Sequence, residues 1–206
     1  MRNGHLIRSK TLKTAALIFA LSTIPALAGD YGNVSIKNCT WCHGSSAQGY
    51  APAPRLAGQR EWYIVNQLSR FRTHSRDNPF SRMYMWPATA NVDPWAARRL
   101  AKYFSRLHPQ PADDGDRSLV ATGRAIYQEG IPNMNIPACV ACHGPSAQGI
   151  AQIPRLSGLS ASYLQRRLQQ WHDGYDRTAF HPMPTVGKVL SPRQVAALAA
   201  YLSFAK

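Results

Sequence analysis

Acid is scarce in this 206-residue chain: ten Asp and Glu stand against 24 Lys and Arg, a formal net charge of +14. Such a field suits an acidic protein partner or an anionic membrane surface. The basic residues are scattered rather than gathered into one run, which argues against nucleic acid. Cysteine is scarce as well, with four in all, placed as two close pairs and no spare. Beyond the first 28 residues no apolar run is long enough to cross a bilayer. Runs of alternating apolar and polar residues are also lacking, which excludes a sheet-rich domain and leaves helices.

The chain opens with Arg2, Arg8, Lys10 and Lys13, followed by an apolar stretch from Thr14 to Ala28 that ends Ala26-Leu27-Ala28. This is the layout of a secretory signal peptide, with cleavage expected near Ala28. Pro25 interrupts the stretch, which is short for a membrane span. Removal of residues 1–28 leaves 20 Lys and Arg against ten acids, a formal +10.

In an exported protein four cysteines would ordinarily mean disulfides, but their spacing points elsewhere. Cys39 and Cys42 are followed at once by His43, and Cys139 and Cys142 by His143. Cys-x-x-Cys-His is the attachment signature of a c-type haem. Two thiols one helical turn apart can add to the two vinyl groups on one haem edge, and the histidine supplies an axial imidazole nitrogen. A thioredoxin-like pair would need no histidine there, and a zinc site would require two distant motifs to share one metal. Two covalently bound haem c groups are therefore expected.

The motifs sit inside a longer repeat. Between residues 39–58 and 139–158, 13 of 20 positions are identical without a gap. Tyr63, Leu68 and Phe80 match Tyr163, Leu168 and Phe180 at the same offset. Near the ends Pro94, Leu100, Ala101 and Tyr103 match Pro192, Leu198, Ala199 and Tyr201 at an offset of 98, so the first copy holds two extra residues between Phe80 and Pro94. Helices are expected over Gln59–Phe71 and Ser160–Trp171, which lack Gly and Pro. Ser191-Pro192 with Gln194, and Asp93-Pro94, are helix starts. The fold class is thus all-α, with two tandem domains each wrapped around one haem: a signal peptide at 1–28, domain 1 at 29–107, a linker at 108–116 rich in Pro, Gly and Asp, and domain 2 at 117–206. Domains this small approach the lower limit for a self-sufficient core, so the haem-free forms are expected to fold poorly.

Each iron needs a ligand opposite its histidine, and a methionine thioether gives a high potential and no open site. Met183, 40 residues after His143, is the one methionine between that motif and the C-terminus. Domain 1 offers two. Met83 matches Met183 when counted from the haem motif, and Met85 matches it when counted from the last helix. A final helix packed on the haem would fix the nearby loop, which favours Met85, with Met83 as the alternative. His74, His172 and His181 could give bis-histidine ligation, but the two copies do not offer matching histidines. Pro54 and Pro154, each 11 residues after a motif histidine, could orient it through a backbone carbonyl. Arg55, Arg155, Trp62, Tyr63 and Tyr163 are candidates for contact with haem propionates or the porphyrin face, or for ordinary packing.

The two Cys-x-x-Cys-His-Gly motifs, PRLAGQ at 54–59 with PRLSGL at 154–159, the segments YIVNQLSRF and YLQRRLQQW, the methionine loops and the ending ALAAYL together resemble the cytochrome c4 family of dihaem, two-domain class I c-type cytochromes. The resemblance covers nearly all of the mature chain. It implies a periplasmic electron carrier, often at the membrane surface, with His/Met ligation, domains related by a pseudo-twofold axis, propionate edges meeting at the interface, and service to a terminal oxidase. One feature departs from the pattern. A helix is expected before the second motif, over about 118–129, whereas only residues 29–38 precede Cys39. The corresponding helix of domain 1 must be very short or missing, which keeps open a dihaem subunit bound tightly to a dehydrogenase. The expected function is electron transfer between redox proteins, a membrane oxidase or a dehydrogenase, with no small-molecule substrate, no nucleic acid and no acid–base catalysis. A dihaem peroxidase would need an open or displaceable ligand.

Overall fold

The computed structural model describes Met1 and residues 34–50, 52–176 and 182–206. The leader expected over residues 1–28 (beyond Met1), the cleavage site near Ala28, and Phe180 and His181 lie outside the described residues. Among the described residues the structure is helical, and pairing of β type is confined to isolated bridges such as Tyr50 with Ala53 and Ile150 with Ile153.

The first half carries α1 (Ile36–His43), α2 (Glu61–Arg72), a π-helical turn Ser81–Met85 that continues into α3 (Trp86–Thr89), and α4 (Pro94–Arg106). The second carries a 3₁₀ turn Arg117–Leu119 leading into α5 (Val120–Glu129), then α6 (Val140–His143), α7 (Ala161–His172), α8 (Met183–Val189) and α9 (Pro192–Phe204). The starts follow local chemistry. The Asp93 carboxylate accepts from the Trp95 and Ala96 N–H groups at 2.8 Å each, and Pro94 needs no N–H partner in the first turn. Ser191 and Gln194 form a reciprocal capping box ahead of α9. In α2 Glu61 occupies the first turn and Arg70 and Arg72 the last, the arrangement that complements the helix dipole. This helix begins two residues later than the sequence pattern predicts, because Gln59 turns its side chain into the seam between the halves.

Each half has its own apolar core. In the first, Ile64 of α2 meets Ala96, Ala97, Leu100, Ala101 and Phe104 of α4. In the second, α9 is gripped from both sides, by α5 and by α7. Ile126 and Tyr127 reach it from α5, and Leu164 and Leu168 from α7. The α5–α9 crossing is close: a Cβ on Gly123 would fall 1.9 Å from the Ala197 carbonyl oxygen. The first half differs. α1 grows backwards from its haem motif, starting at Ile36 with Ser35 as its cap, and among the described residues nothing takes the place of α5.

The segment at 108–116 is fastened to both halves. Gln48 donates to the His108 carbonyl and accepts from the Gln110 N–H, each at 2.9 Å. Further on, Ala112 N–H donates to the Gly158 carbonyl at 3.0 Å, and the Asp114 carboxylate caps α7 through the Ala161 N–H at 2.8 Å.

Candidate functional site

The two Cys-x-x-Cys-His stretches fold alike. Cys39 and Cys42 lie one turn apart on α1, and no disulfide joins any of the four cysteines. Burial, with a lesser push from Cys42, raises the Cys39 thiol to about 11, and burial is likewise the main cause that raises Cys139 to about 11. Both groups are thus held as protonated thiols, the form that adds across a vinyl group.

His43 and His143 end their helices and are each 6% exposed. The Nδ1 of His43 lies 2.7 Å from the Pro54 carbonyl oxygen, and that of His143 lies 3.1 Å from the Pro154 oxygen. A carbonyl only accepts, so Nδ1 carries the proton and Nε2 keeps its lone pair for a metal. Burial also lowers both imidazole pKa values, against the opposing effect of these bonds, which favours the neutral, ligating form. The proline carbonyls foreseen as orienting groups are in place in both halves.

The repeated residues after each histidine build the loop that brings the carbonyl back. Gly49 N–H donates to the His43 carbonyl and Gly149 N–H to that of His143, both at 2.8 Å. Leu56 and Ala57 both donate to Ala47, as Leu156 and Ser157 do to Ala147. At Gly49, φ is +76° and a Cβ would fall 2.5 Å from the Arg55 nitrogen, so only glycine lets the two arms of the loop touch.

The candidate iron ligands on the far side fall as follows. Met183 begins α8 and packs against the second core. In the first half Met83 is 66% exposed, whereas Met85 is half-buried at the junction of the π turn and α3. The π turn closes through Trp86 N–H to the Ser81 carbonyl, a wider loop than an α turn, within the stretch where domain 1 holds its two extra residues. His74 is stacked on Trp86 with ring centroids 3.9 Å apart, and His172 is exposed at the end of α7.

Between the halves lies a seam of buried polar groups. Asp77 N–H donates to the Asp176 carboxylate at 2.8 Å, and Asp176 N–H donates to that of Asp77 at 2.9 Å. The same Asp176 carboxylate is paired with the buried Arg167 guanidinium. Burial pushes the Asp176 carboxyl upward, but Arg167 and Arg76, together with its hydrogen bonds, overcome this and hold it below the ordinary carboxylate value. Burial alone would likewise raise Tyr163, yet Arg76 and Arg167 bring it down, while burial and Tyr163 raise Tyr63. Gln59 clips the Arg155 peptide from both sides, donating to its carbonyl at 3.0 Å and accepting from its N–H at 2.8 Å. Arg55 spans the seam to the carbonyls of Gln110, Ser157 and Gly158. It therefore acts as a clamp between halves, a use that its sequence position did not reveal.

The donor set fits haem. Each half supplies two thiols and an imidazole with a free Nε2, and the seam supplies donors for carboxylates such as the propionates. Among the described residues the buried Arg76 Nε, Asn78 Nδ2 and Arg155 Nε have no hydrogen-bond partner. Burial and repulsion from Arg155 depress Arg55, to about 10, and burial and repulsion from Arg60 depress Arg155. Trp62 is exposed, whereas Tyr63 and Tyr163 lie in the seam beside these arginines. Sequence reasoning missed Arg76, Arg167, Asp176 and Gln59. The one signal was that Arg76-Asp77 stands where the second copy has Asp176-Arg177, the charges reversed.

Comparison with known proteins supplies the family. The family model described as Cytochrome c matches residues 31–112 and again 120–206. The chain is 35% identical over 170 residues to cytochrome c-552 of Acidithiobacillus ferridurans, covering 81% of this chain and 73% of that one. It is 33% identical over 172 residues to the thiosulfate dehydrogenase electron acceptor of Thiomonas intermedia, covering 81% and 77%. Among solved structures, cytochrome c4 of Acidithiobacillus ferrooxidans superposes with a TM-score of 0.76 at 34% identity, covering 82% of this chain and 99% of the other.

Proposed function

This chain belongs to the cytochrome c family and is a cytochrome c4-like electron-transfer protein, and from that premise we propose that it is an exported, periplasmic dihaem carrier that links a dehydrogenase-type donor to a terminal oxidase. The observation that carries the proposal is the duplicated arrangement of two thiols and a histidine whose Nδ1 is pinned by a proline carbonyl, leaving Nε2 for iron. In this reading residues 1–28 direct export, 29–107 and 117–206 are the two haem domains, and 108–116 joins them. No helix among the described residues is long and apolar enough to cross a membrane.

Haem, when bound, supplies a one-electron iron couple, and two such groups in one chain give an electron an entry and an exit. Cys39 and Cys42, and Cys139 and Cys142, hold the two groups covalently. His43 and His143 would offer Nε2 to the iron, and Met85 and Met183 would offer it a thioether. Met85 is preferred over Met83 because a half-buried thioether is more readily kept dry than an exposed one. The seam arginines neutralise carboxylates, and the clamps from Arg55 and Gln59 fix the distance between the two halves. The protein thereby sets potential and spacing, and moves no proton in a catalytic step.

The dehydrogenase side of the proposal is supported by the likeness to the thiosulfate dehydrogenase electron acceptor. A permanent subunit is the competing reading, motivated by the lack, among the described residues, of a counterpart of α5 in the first half. Two measurements on the purified protein test these statements. A pyridine haemochrome assay should give two haem c per chain, and a value of one sinks the dihaem reading. Met85→Ala and Met183→Ala should each remove one thioether charge-transfer band while Met83→Ala leaves both, and the opposite result for the first and third moves the ligand to Met83. Co-elution with a stoichiometric catalytic subunit through high salt would replace the free carrier by the subunit.

A further inference from the structure

The two halves part company along their last helices. In the second half one flank of α9 is covered by α5 and by the chain entering it. A Cβ on Gly115 would fall 2.6 Å from the Ala200 Cα, one on Gly123 would fall 2.8 Å from the Tyr201 Cβ, and the Arg117 guanidinium lies 4.5 Å over the Phe204 ring. At the offset of 98 that aligns the last helices, Ala196, Ala200 and Phe204 correspond to Arg98, Lys102 and Arg106 of α4. All three are exposed, and among the described residues none of them forms an ion pair. Trp95, 52% exposed, stands at the start of the same flank with the Arg99 guanidinium 4.4 Å over its ring.

This row runs for about 12 Å along α4 at the helical rise. It repeats positive charge at the i, i+4 spacing, and the helix contains no acid. Like charges at that spacing repel and weaken a helix, a cost that a partner of opposite sign would relieve. What covers it must bring negative charge. The chain's own N-terminal residues bring little of it: with residues 1–28 removed, Asp30 is the sole acid before Val34, too little to match three cations. A second copy does no better, since the acidic stretch of the chain lies at 113–116 and spends Asp114 and Asp116 on helix caps.

We propose that this flank of α4 docks an acidic helical segment of a protein partner, filling in trans the place that the chain entering α5 fills on α9. Guanidinium forks match carboxylates in pairs, and Arg and Trp are the residues enriched at the centres of protein interfaces. A lipid surface fits less well. A helix that lies on a membrane offers an apolar face beside its charges, and the apolar face of α4 (Ala96, Ala97, Leu100, Ala101 and Phe104) is buried in the core. The docking residues are distinct from those proposed to hold haem, and the test below reads no electron transfer, so it stands apart from the proposed function.

The test titrates the holoprotein by calorimetry with a helical peptide of about 14 residues bearing glutamate at every fourth position, alongside a glutamine counterpart. The acidic peptide should bind and the glutamine peptide should not. The pair Arg98→Glu/Lys102→Glu should weaken binding by about tenfold or more, whereas the equally charged pair Arg124→Glu/Arg193→Glu on the second half should stay within about twofold. Hydrogen exchange on the wild-type complex should show new protection confined to α4, a readout that needs no variant. Equal weakening by both pairs, no binding, or protection elsewhere overturns the proposal. So does flotation of the wild-type protein, but not of the α4 pair, with phosphatidylglycerol vesicles that the acidic peptide fails to displace, an outcome that assigns the face to a membrane.

Discussion

Asp77 and Asp176 exchange backbone-to-carboxylate hydrogen bonds across the seam, and replacing each by asparagine should nevertheless have very different consequences. Asparagine keeps an oxygen at Oδ1, so the bonds of 2.8 and 2.9 Å survive in either variant. In Asp77→Asn the charge alone is lost, whereas Asp176→Asn also loses the Oδ2 acceptor of the Arg167 hydrogen bond. The Asp77 side chain is 42% exposed and sits 3.8 Å from an exposed Arg82, a pair worth about 0–1 kcal/mol. Asp176 is buried against Arg167, itself buried, and it also faces Arg76. Removing one partner of a buried pair strands the other, at a cost of about 3–5 kcal/mol. Guanidinium chloride unfolding of the holoprotein, followed by circular dichroism, should therefore place Asp176→Asn well below Asp77→Asn at neutral pH. The pH dependence has a fixed sign. Because the folded pKa of Asp176 is lowered, its contribution is complete above the unfolded value of about 3.9 and is lost as pH falls through the folded one. The gap between wild type and Asp176→Asn should thus close in acid. Equal costs for the two variants, or a gap that persists in strong acid, would refute the account of the seam as a buried charge network.

Other outcomes follow from the same geometry. Gly123→Ala should destabilise the second half by about 2–3 kcal/mol, measured by thermal melting, because the added Cβ meets the Ala197 backbone rather than a side chain that can move. Cys42→Ala and Cys142→Ala should each abolish one thioether link, read as a shifted haemochrome band for that haem alone; an unshifted spectrum would remove those thiols from the attachment. Haem-free protein should have far-UV circular dichroism well short of the native helicity, since each half has a small core around its motif; full native helicity would rule this out. Arg55→Gln should loosen the two halves, seen as a larger radius of gyration in solution scattering, because the three carbonyls it holds lose their cationic donor.

Much of this protein is determined by short-range rules and is legible from the chain alone. Cys-x-x-Cys-His marks where haem is expected to attach, because it places two thiols one turn apart with an imidazole directly after them. Asp93-Pro94 and Ser191-Pro192 with Gln194 fix where the last helices start, because caps act within a few residues. The duplication, read at two offsets, revealed the pair of similar halves and the short stretch left for a helix before Cys39. The seam was decided by tertiary structure alone. Asp77 and Asp176 are 99 residues apart, and Arg55 reaches carbonyls more than 100 residues away, so no local spacing could pair them. Likewise nothing in the sequence singled out Arg98, Lys102 and Arg106. Their meaning emerges only beside α9, where the equivalent flank lies under α5 and the chain entering it, because what a helix face does depends on what the rest of the fold leaves uncovered.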